Sequence, residues 1–281
     1  MAQDAEISEV FCKTALSVSR LPGLDYSLNP YKGCTHGCAY CYAPSMQREK
    51  RVWGSFVEAK TNIAQILERE LHNRKNRHRG VVGIGTMTDP YQEAENKYRL
   101  TRACLKILQR HDYPICIQTK SAGVLRDADV LSTFSHCEVG ITFTSIEDDL
   151  RRVYEGGSSF KERLDALKHL RACGVRTWAF IGPFLPGITD RMPDIKHLVS
   201  SLADVGVDYV MCDRLRIKPG IFERIETNLL KRIPELNEIY TALFINGGDK
   251  EYYQNLFFNV KKLCIEHGLA YRNAFGDSEM R

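Results

Sequence analysis

No apolar run in this sequence approaches the roughly 18 residues of a membrane-spanning helix. The longest candidate, Trp178 to Ile188, is interrupted by Gly182, Pro183, Pro186 and Gly187. The segment Met1 to Val10 is acidic and lacks the apolar centre of a secretory signal. These absences predict a soluble, cytoplasmic protein without membrane contact. A strong charge of either sign is also missing. The net charge of +4 permits a phosphate-bearing partner such as a nucleic acid without requiring one. Internal repeats, low-complexity tracts and a Pro/Gly/Ser linker are absent too, so 281 residues at 43% hydrophobic content predict one large core, or two domains at most.

Cysteine, by contrast, is abundant at ten residues. In a cytosolic chain of this length, metal-bound thiolates are favoured over disulfides. Cys12, Cys104, Cys116, Cys137, Cys173, Cys212 and Cys264 are scattered singly, as small buried residues are. The other three fall together in N-P-Y-K-G-C-T-H-G-C-A-Y-C-Y-A-P, residues 29–44, with the spacing C-x3-C-x2-C at Cys34, Cys38 and Cys41. A structural zinc or an electron-transfer cluster normally takes four protein ligands. Three thiolates on a [4Fe–4S] cluster leave one iron open. Gly33 and Gly37 let backbone wrap closely around the sulfurs. A zinc knot completed by His36 is the competing reading. His36 stands only two residues from either neighbouring cysteine, and the chain offers no second C-x-x-C.

Short β-rich runs alternate with amphipathic helical stretches. Strands are predicted just before Cys34 and at Val81 to Thr86, Ile115 to Thr119, Glu138 to Ser145, Val175 to Ile181 and Val207 to Cys212. Helices are predicted at Thr61 to Asn73, Arg99 to Arg110, Val124 to Phe134, Phe160 to Cys173 and Asp194 to Ala203. About six such units predict an α/β fold, a partial (β/α)6 TIM-like barrel rather than a closed eightfold one, with ligands at the carboxyl ends of the strands. The expected organisation is an N-terminal segment 1–25, the barrel 26–220, and a helical, aromatic-rich extension 221–281 packed on it.

The cysteine motif, with G-T-M-T-D-P-Y-Q at 85–92 and Q-T-K-S at 118–121, resembles the radical S-adenosylmethionine (SAM) superfamily. More narrowly it resembles the branch related to spore photoproduct lyase, over roughly Asn29 to Gly220. The resemblance implies a [4Fe–4S] cluster on Cys34, Cys38 and Cys41. It also implies S-adenosylmethionine as the second cofactor and an external electron donor of the flavodoxin or ferredoxin type. The implied chemistry is reductive cleavage to a 5′-deoxyadenosyl radical that abstracts hydrogen from a substrate. Lys120 matches a lysine that meets the methionyl carboxylate, and a carboxylate in a dry pocket needs such a partner. Thr88 and Asp89 are candidates for the ribose or the methionyl amine; a turn before Pro90 is their ordinary explanation. Ser145 matches a serine contacting the methionyl part; a helix cap is its ordinary explanation. Gly182 and Pro183 match the strand end that lines the adenine. Tyr40 and Tyr42 match tyrosines implicated in returning a hydrogen atom, although an aromatic beside a cluster is often just a shield.

Asp213 and Arg214, with Arg216, follow the last barrel strand and are candidate substrate contacts. The basic run His72 to Arg79 is better explained by the helix dipole than by nucleic acid, since no aromatic interleaves it. The sequence departs from the lyases where their hydrogen-donating cysteine begins a C-T-S-D segment. Here the residues are Thr86, Met87, Thr88 and Asp89, and an O–H bond is far stronger than S–H. The first cluster cysteine is already residue 34, without the long extension of the lyases. The expectation is therefore the cofactor chemistry on another substrate. Two alternatives stand beside it: lesion repair with a donor such as Cys116 or Cys212, and a non-enzymatic iron–sulfur or zinc protein.

Overall fold

The computed structural model describes residues 5–73 and 79–274. Its main sheet has eight strands. In chain order the strands of the protein are β1 (Glu6–Val10), β2 (Leu16–Val18), β3 (Tyr26–Leu28), β4 (Tyr31–Gly33), β5 (Phe56–Lys60), β6 (Val82–Ile84), β7 (Ile115–Thr119), β8 (Cys137–Phe143), β9 (Arg176–Phe184), β10 (Tyr209–Arg214) and β11 (Tyr271–Asn273). The main sheet runs β11-β10-β9-β8-β7-β6-β3-β2, parallel throughout except for the antiparallel β2–β3 pair. Six parallel strands, β3 and β6 to β10, form the partial barrel the sequence predicts; β6 to β10 lead directly into helix, and β3 does so after the small-sheet strands β4 and β5.

The helices form where apolar residues recur at helical spacing. Helix Ile63–His72 buries Ile63, Leu67 and Leu71, one face of three turns. Helix Phe160–Ala172 starts with a reciprocal capping box between Ser159 and Glu162. Helix Met192–Val205 has a proline in its first turn and stops at Gly206, φ 77°. Helix Leu100–Arg110 completes the wall. The segment expected as a helix from Val124 to Phe134 is instead a 3-10 stretch, Ala122–Asp127, leading into one short turn, Ala128–Leu131. Asp127 at the join is wholly buried by Arg102 and Arg126, so ion pairing overrides helical continuity there.

Two further corrections concern the sheet. The strand just before Cys34, β4, is not a barrel strand. It belongs to a second, three-stranded sheet of order β1-β5-β4, and the barrel strand is β3. The tail is helical as expected, and what the sequence did not predict is one added strand. After helix Asp249–Glu266 it returns as β11, a seventh parallel strand beside β10. The same helix brings the Tyr253 hydroxyl to the Phe184 carbonyl (2.9 Å) and the Leu215 amide (3.2 Å), pinning the tail to the ends of β9 and β10. The basic run His72 to Arg79 lies largely outside the described residues, at 74–78. Among the described residues no helix is long and apolar enough to cross a membrane.

Candidate metal centre and strand-end site

Gly33 ends β4 at φ 82°, and a side chain there would lie 2.3 Å from the Phe56 carbonyl, so only glycine lets β4 lie against β5 and turn into Cys34. The three sulfurs gather beyond this turn. Cys34 and Cys41 sit in an apolar sheath of Ala43, Trp53, Phe56 and Met87. Cys38 faces the main core beside Tyr40. Burial pushes all three thiols up, Cys38 to about 12. Donors oppose it: the His36 amide on Cys34, the Ala43 amide and Trp53 indole on Cys41, and the Lys120 charge on Cys38 and Cys41.

Buried sulfurs with N–H groups aimed at them are the environment of metal-bound thiolates. Among the described residues, no three His, Cys, Asp or Glu side chains converge on the position of a single ion. His36 turns Nδ1 toward Asp89 at 3.4 Å, an ion-pair distance without hydrogen-bond alignment. His36 is thus turned to Asp89 rather than toward the three sulfurs.

Asp89, at the end of β6, is consumed by its neighbours. It accepts from the Tyr91 amide (2.9 Å), the Thr119 hydroxyl (2.7 Å) and the Lys120 amide (2.8 Å). Burial opposes its charge, but His36, Thr119 and the Lys120 amide hold the carboxyl well below its ordinary range. Thr88 is likewise engaged: its hydroxyl donates to the Gly33 carbonyl (2.5 Å) and accepts from Gln92 (2.7 Å). Both residues fasten the cysteine loop to the barrel. Lys120 differs. Its ammonium lies 5.6 Å from the Tyr40 ring centroid. Burial pulls it toward neutrality, yet Cys38, Glu155, Asp89 and Cys41 more than compensate and keep it charged.

Sequence reasoning missed the segment Tyr154 to Gly157. Its backbone straps the cysteine loop: the Ala39 amide donates to Tyr154 (2.9 Å) and the Gly156 amide to His36 (2.8 Å). A side chain on Gly156 would stand 2.9 Å from the His36 Cα, and one on Gly157 2.7 Å from the Lys120 carbonyl. Glu155, just before the two glycines, is 2% exposed and accepts from the Tyr40 hydroxyl. The only signal was the text Y-E-G-G, an acid before two glycines. Gly156→Ala is expected to cost about 1–3 kcal/mol, the range for forced overpacking, and to lower the iron retained after reconstitution; urea denaturation and iron analysis check it.

The remaining candidates lie around the rim. Tyr42, 40% exposed, donates to the Thr86 carbonyl and faces Asp213. Gly182, at φ 153°, brings β9 so close that a side chain would stand 2.9 Å from the Asp213 carbonyl, and the Gly182–Pro183 peptide is cis. Ser145 closes a local turn, its hydroxyl accepting from the Glu147 amide (3.0 Å), beside a cavity of about 230 Å³ shared with Gly187, Ile188 and Arg191. Arg214 points away to Asp249 in the tail helix (3.3 Å), whereas Arg216 pairs with Asp213 (3.4 Å). Of the alternative thiols, one lies low in the barrel wall and the other is buried against the tail. Cys116 is near the start of β7, four residues or roughly 13 Å of strand below Lys120. Cys212 is 1% exposed and lies beside Cys264 of the tail helix.

Burial raises the Asp213 carboxyl to about 6, against Arg216 and the Arg214 amide. The folded chain therefore binds more protons than the unfolded chain between roughly pH 4 and 6. This contribution to stability is complete below pH 4 and is lost as pH rises through 6. Asp213→Asn should gain ~2–3 kcal/mol on wild type between pH 4 and pH 7. Parallel urea curves at both pH values would remove this assignment.

The family profile described as the Radical SAM superfamily matches residues 28–199. An uncharacterised protein of Methanocaldococcus jannaschii is 35% identical over 194 residues, covering 68% of this chain and 72% of that protein. A radical SAM Nα-GlyT isomerase of Pseudomonas phage M6 is 27% identical over 223 residues, 76% of this chain and 45% of that one. A double mutant of spore photoproduct lyase, solved with bound AdoMet and dinucleoside spore photoproduct, shares the fold: TM-score 0.65, 16% identity, 80% of this chain and 66% of the lyase chain.

Proposed function

This chain belongs to the radical SAM superfamily, and from that membership we propose that it is an enzyme acting by hydrogen abstraction on a substrate bound at the carboxyl ends of β7 to β10. The cofactors of the family, a [4Fe–4S] cluster and S-adenosylmethionine, supply when bound a one-electron cleavage that yields methionine and a 5′-deoxyadenosyl radical.

In this reading Cys34, Cys38 and Cys41 hold the cluster at three corners. Lys120 binds the methionyl carboxylate; its side chain makes no ion pair with a described residue, while every oxygen of Asp89 beside it is occupied. Asp89 and Thr88 orient the loop and the Lys120 backbone rather than grip the cofactor directly. Gly182 and Pro183 offer a flat wall for the adenine. Ser145, held in its turn, contacts the methionyl part only through an oxygen lone pair or a rotated hydroxyl. Tyr40 and Tyr42 stand between the sulfurs and the rim, placed to shield the site or pass a hydrogen atom. Asp213 with Arg216 lines the substrate side, Arg214 being drawn off to Asp249. Residues 26–220 form the catalytic unit in this proposal, 1–25 its lead-in, and 221–281 its cover. A flavodoxin- or ferredoxin-type protein delivers the electron.

The observation that carries the reading is three neighbouring cysteines, Cys34 and Cys38 buried and Cys41 partly so, beside a lysine that makes no ion pair with a described residue. The test is anaerobic reconstitution with iron and sulfide, then dithionite and S-adenosylmethionine. Roughly four irons with acid-labile sulfide and slow release of 5′-deoxyadenosine by mass spectrometry are expected. One zinc and no 5′-deoxyadenosine would overturn it in favour of a non-enzymatic metal protein. Lesion repair with a thiol donor is disfavoured, because Cys116 lies low on β7 and Cys212, although next to Asp213, is buried beside Cys264 of the tail helix. Duplex binding that weakens steeply with salt would revive it.

A further inference from the structure

Glu155 is a fully desolvated carboxylate that the proposed chemistry does not use. Its two oxygens look in opposite directions. Oε1 faces the Arg163 guanidinium at 2.8 Å, with Arg151 at 3.8 Å. Oε2 accepts from the Tyr40 hydroxyl and from the Thr144 hydroxyl (3.1 Å), on the side of the cysteine loop. Both arginines also have other hydrogen-bond acceptors, while Glu155 is the carboxylate paired with Arg163 among the described residues. Arg163 also donates to the carbonyls of Ser158 (2.8 Å), Thr142 (2.7 Å) and Gly156 (3.2 Å). Arg151 donates to Asp148 (3.1 Å) and to the carbonyls of Glu155 (3.2 Å) and Gly156 (3.1 Å). A carboxylate stripped of water and kept ionised is expensive unless its charge is put to use. Beyond the arginines, the groups that feel this charge include Tyr40, which it bonds, and Cys38, Lys120 and Tyr154.

We infer that Glu155 is a positioning residue of the cofactor site: it fixes the Tyr40 phenol against the cysteine loop and supplies the fixed negative charge that balances Lys120 beside Cys38. This rests on the radical SAM reading and adds a residue to it. The charge has a consequence of definite sign. Adding an electron to a site next to a buried anion is opposed by Coulomb repulsion, with little water to screen it. Glu155 therefore holds the reduction potential of the site down. Its counter-charge, Arg163, holds it up.

The test is the midpoint potential of the reconstituted protein, read by EPR during an anaerobic redox titration. Glu155→Gln keeps the shape of the side chain and its acceptor for Tyr40 but deletes the charge. It should make reduction easier by about tenfold, a rise of about 59 mV for one electron. Glu155→Asp, which keeps the charge, should shift it by less than a third of that. Should Glu155→Gln not fold, Arg163→Gln must move the midpoint in the opposite direction. A purely structural role predicts lower melting temperatures without shifts of opposite sign. An unmoved midpoint in Glu155→Gln, or the same shift in the Asp and Gln variants, overturns the inference. A wild-type protein that assembles no four-iron cluster would sink the parent reading instead, so the two failures are distinguishable.

Discussion

Cys38→Ala protein, reconstituted anaerobically, forms no detectable 5′-deoxyadenosine and retains well under a full complement of iron. Cys38 is 5% exposed, and no other cysteine of the chain lies close enough in sequence to replace its sulfur. Removing even an outer partner of a metal ligand costs 10–100-fold in metal affinity or activity. Removing the ligand itself should cost at least about 100-fold. The variant should nonetheless fold. Losing one small sulfur from a packed wall costs about 1–2 kcal/mol, and the loop keeps its backbone bonds to Tyr154 and Gly156. Iron analysis, circular dichroism and mass spectrometry together separate loss of cluster from loss of fold. Wild-type yields of 5′-deoxyadenosine would mean that Cys38 is not a ligand.

Lys120→Ala should give the opposite pattern: full iron, intact fold, and binding of S-adenosylmethionine weakened by roughly 10–100-fold, the worth of a charge-assisted contact of about 1.5–3 kcal/mol. The backbone of Lys120 carries the structural duties, its amide on Asp89 and its carbonyl on the Ser158 amide (3.0 Å), and both survive the substitution. Lys120→Arg should recover only part of the affinity, since the forked guanidinium demands a different approach to a carboxylate. Equilibrium dialysis with the loaded protein measures it. Unchanged affinity in Lys120→Ala would remove this residue from the site.

The barrel was readable because each unit combines a β-rich run with a helix of regular apolar spacing, as in Ile115–Thr119 or Ile63–His72. The cysteines were readable because their spacing is itself the chemistry. What escaped had no local signature. Strand β1 is exposed at four of its five positions, so neither alternation nor an apolar run marks it. Its identity as a strand comes from pairing with β5, fifty residues on. Asp89 and Thr88 were visible as polar strand-end residues, but their partners, Lys120 and Gly33, are set by the closing of the sheet. Glu155 was invisible for the same reason: Tyr40, the donor it meets, is 115 residues away. Ser145 was visible and ambiguous, and its short turn with Glu147 is local chemistry that a sequence displays equally well for a cap and for a ligand.

The loop with the sulfurs hangs from β4, in the small sheet, while the strand ends proposed to meet a substrate belong to the large one. Reagent and selector are thus mounted on different frames. The side chains of Gln118 and Thr142, for example, bond each other across β7 and β8 (3.1 Å), within the large sheet. On the proposed function, a change of substrate calls for new side chains on the large sheet and leaves the cysteine loop as it is.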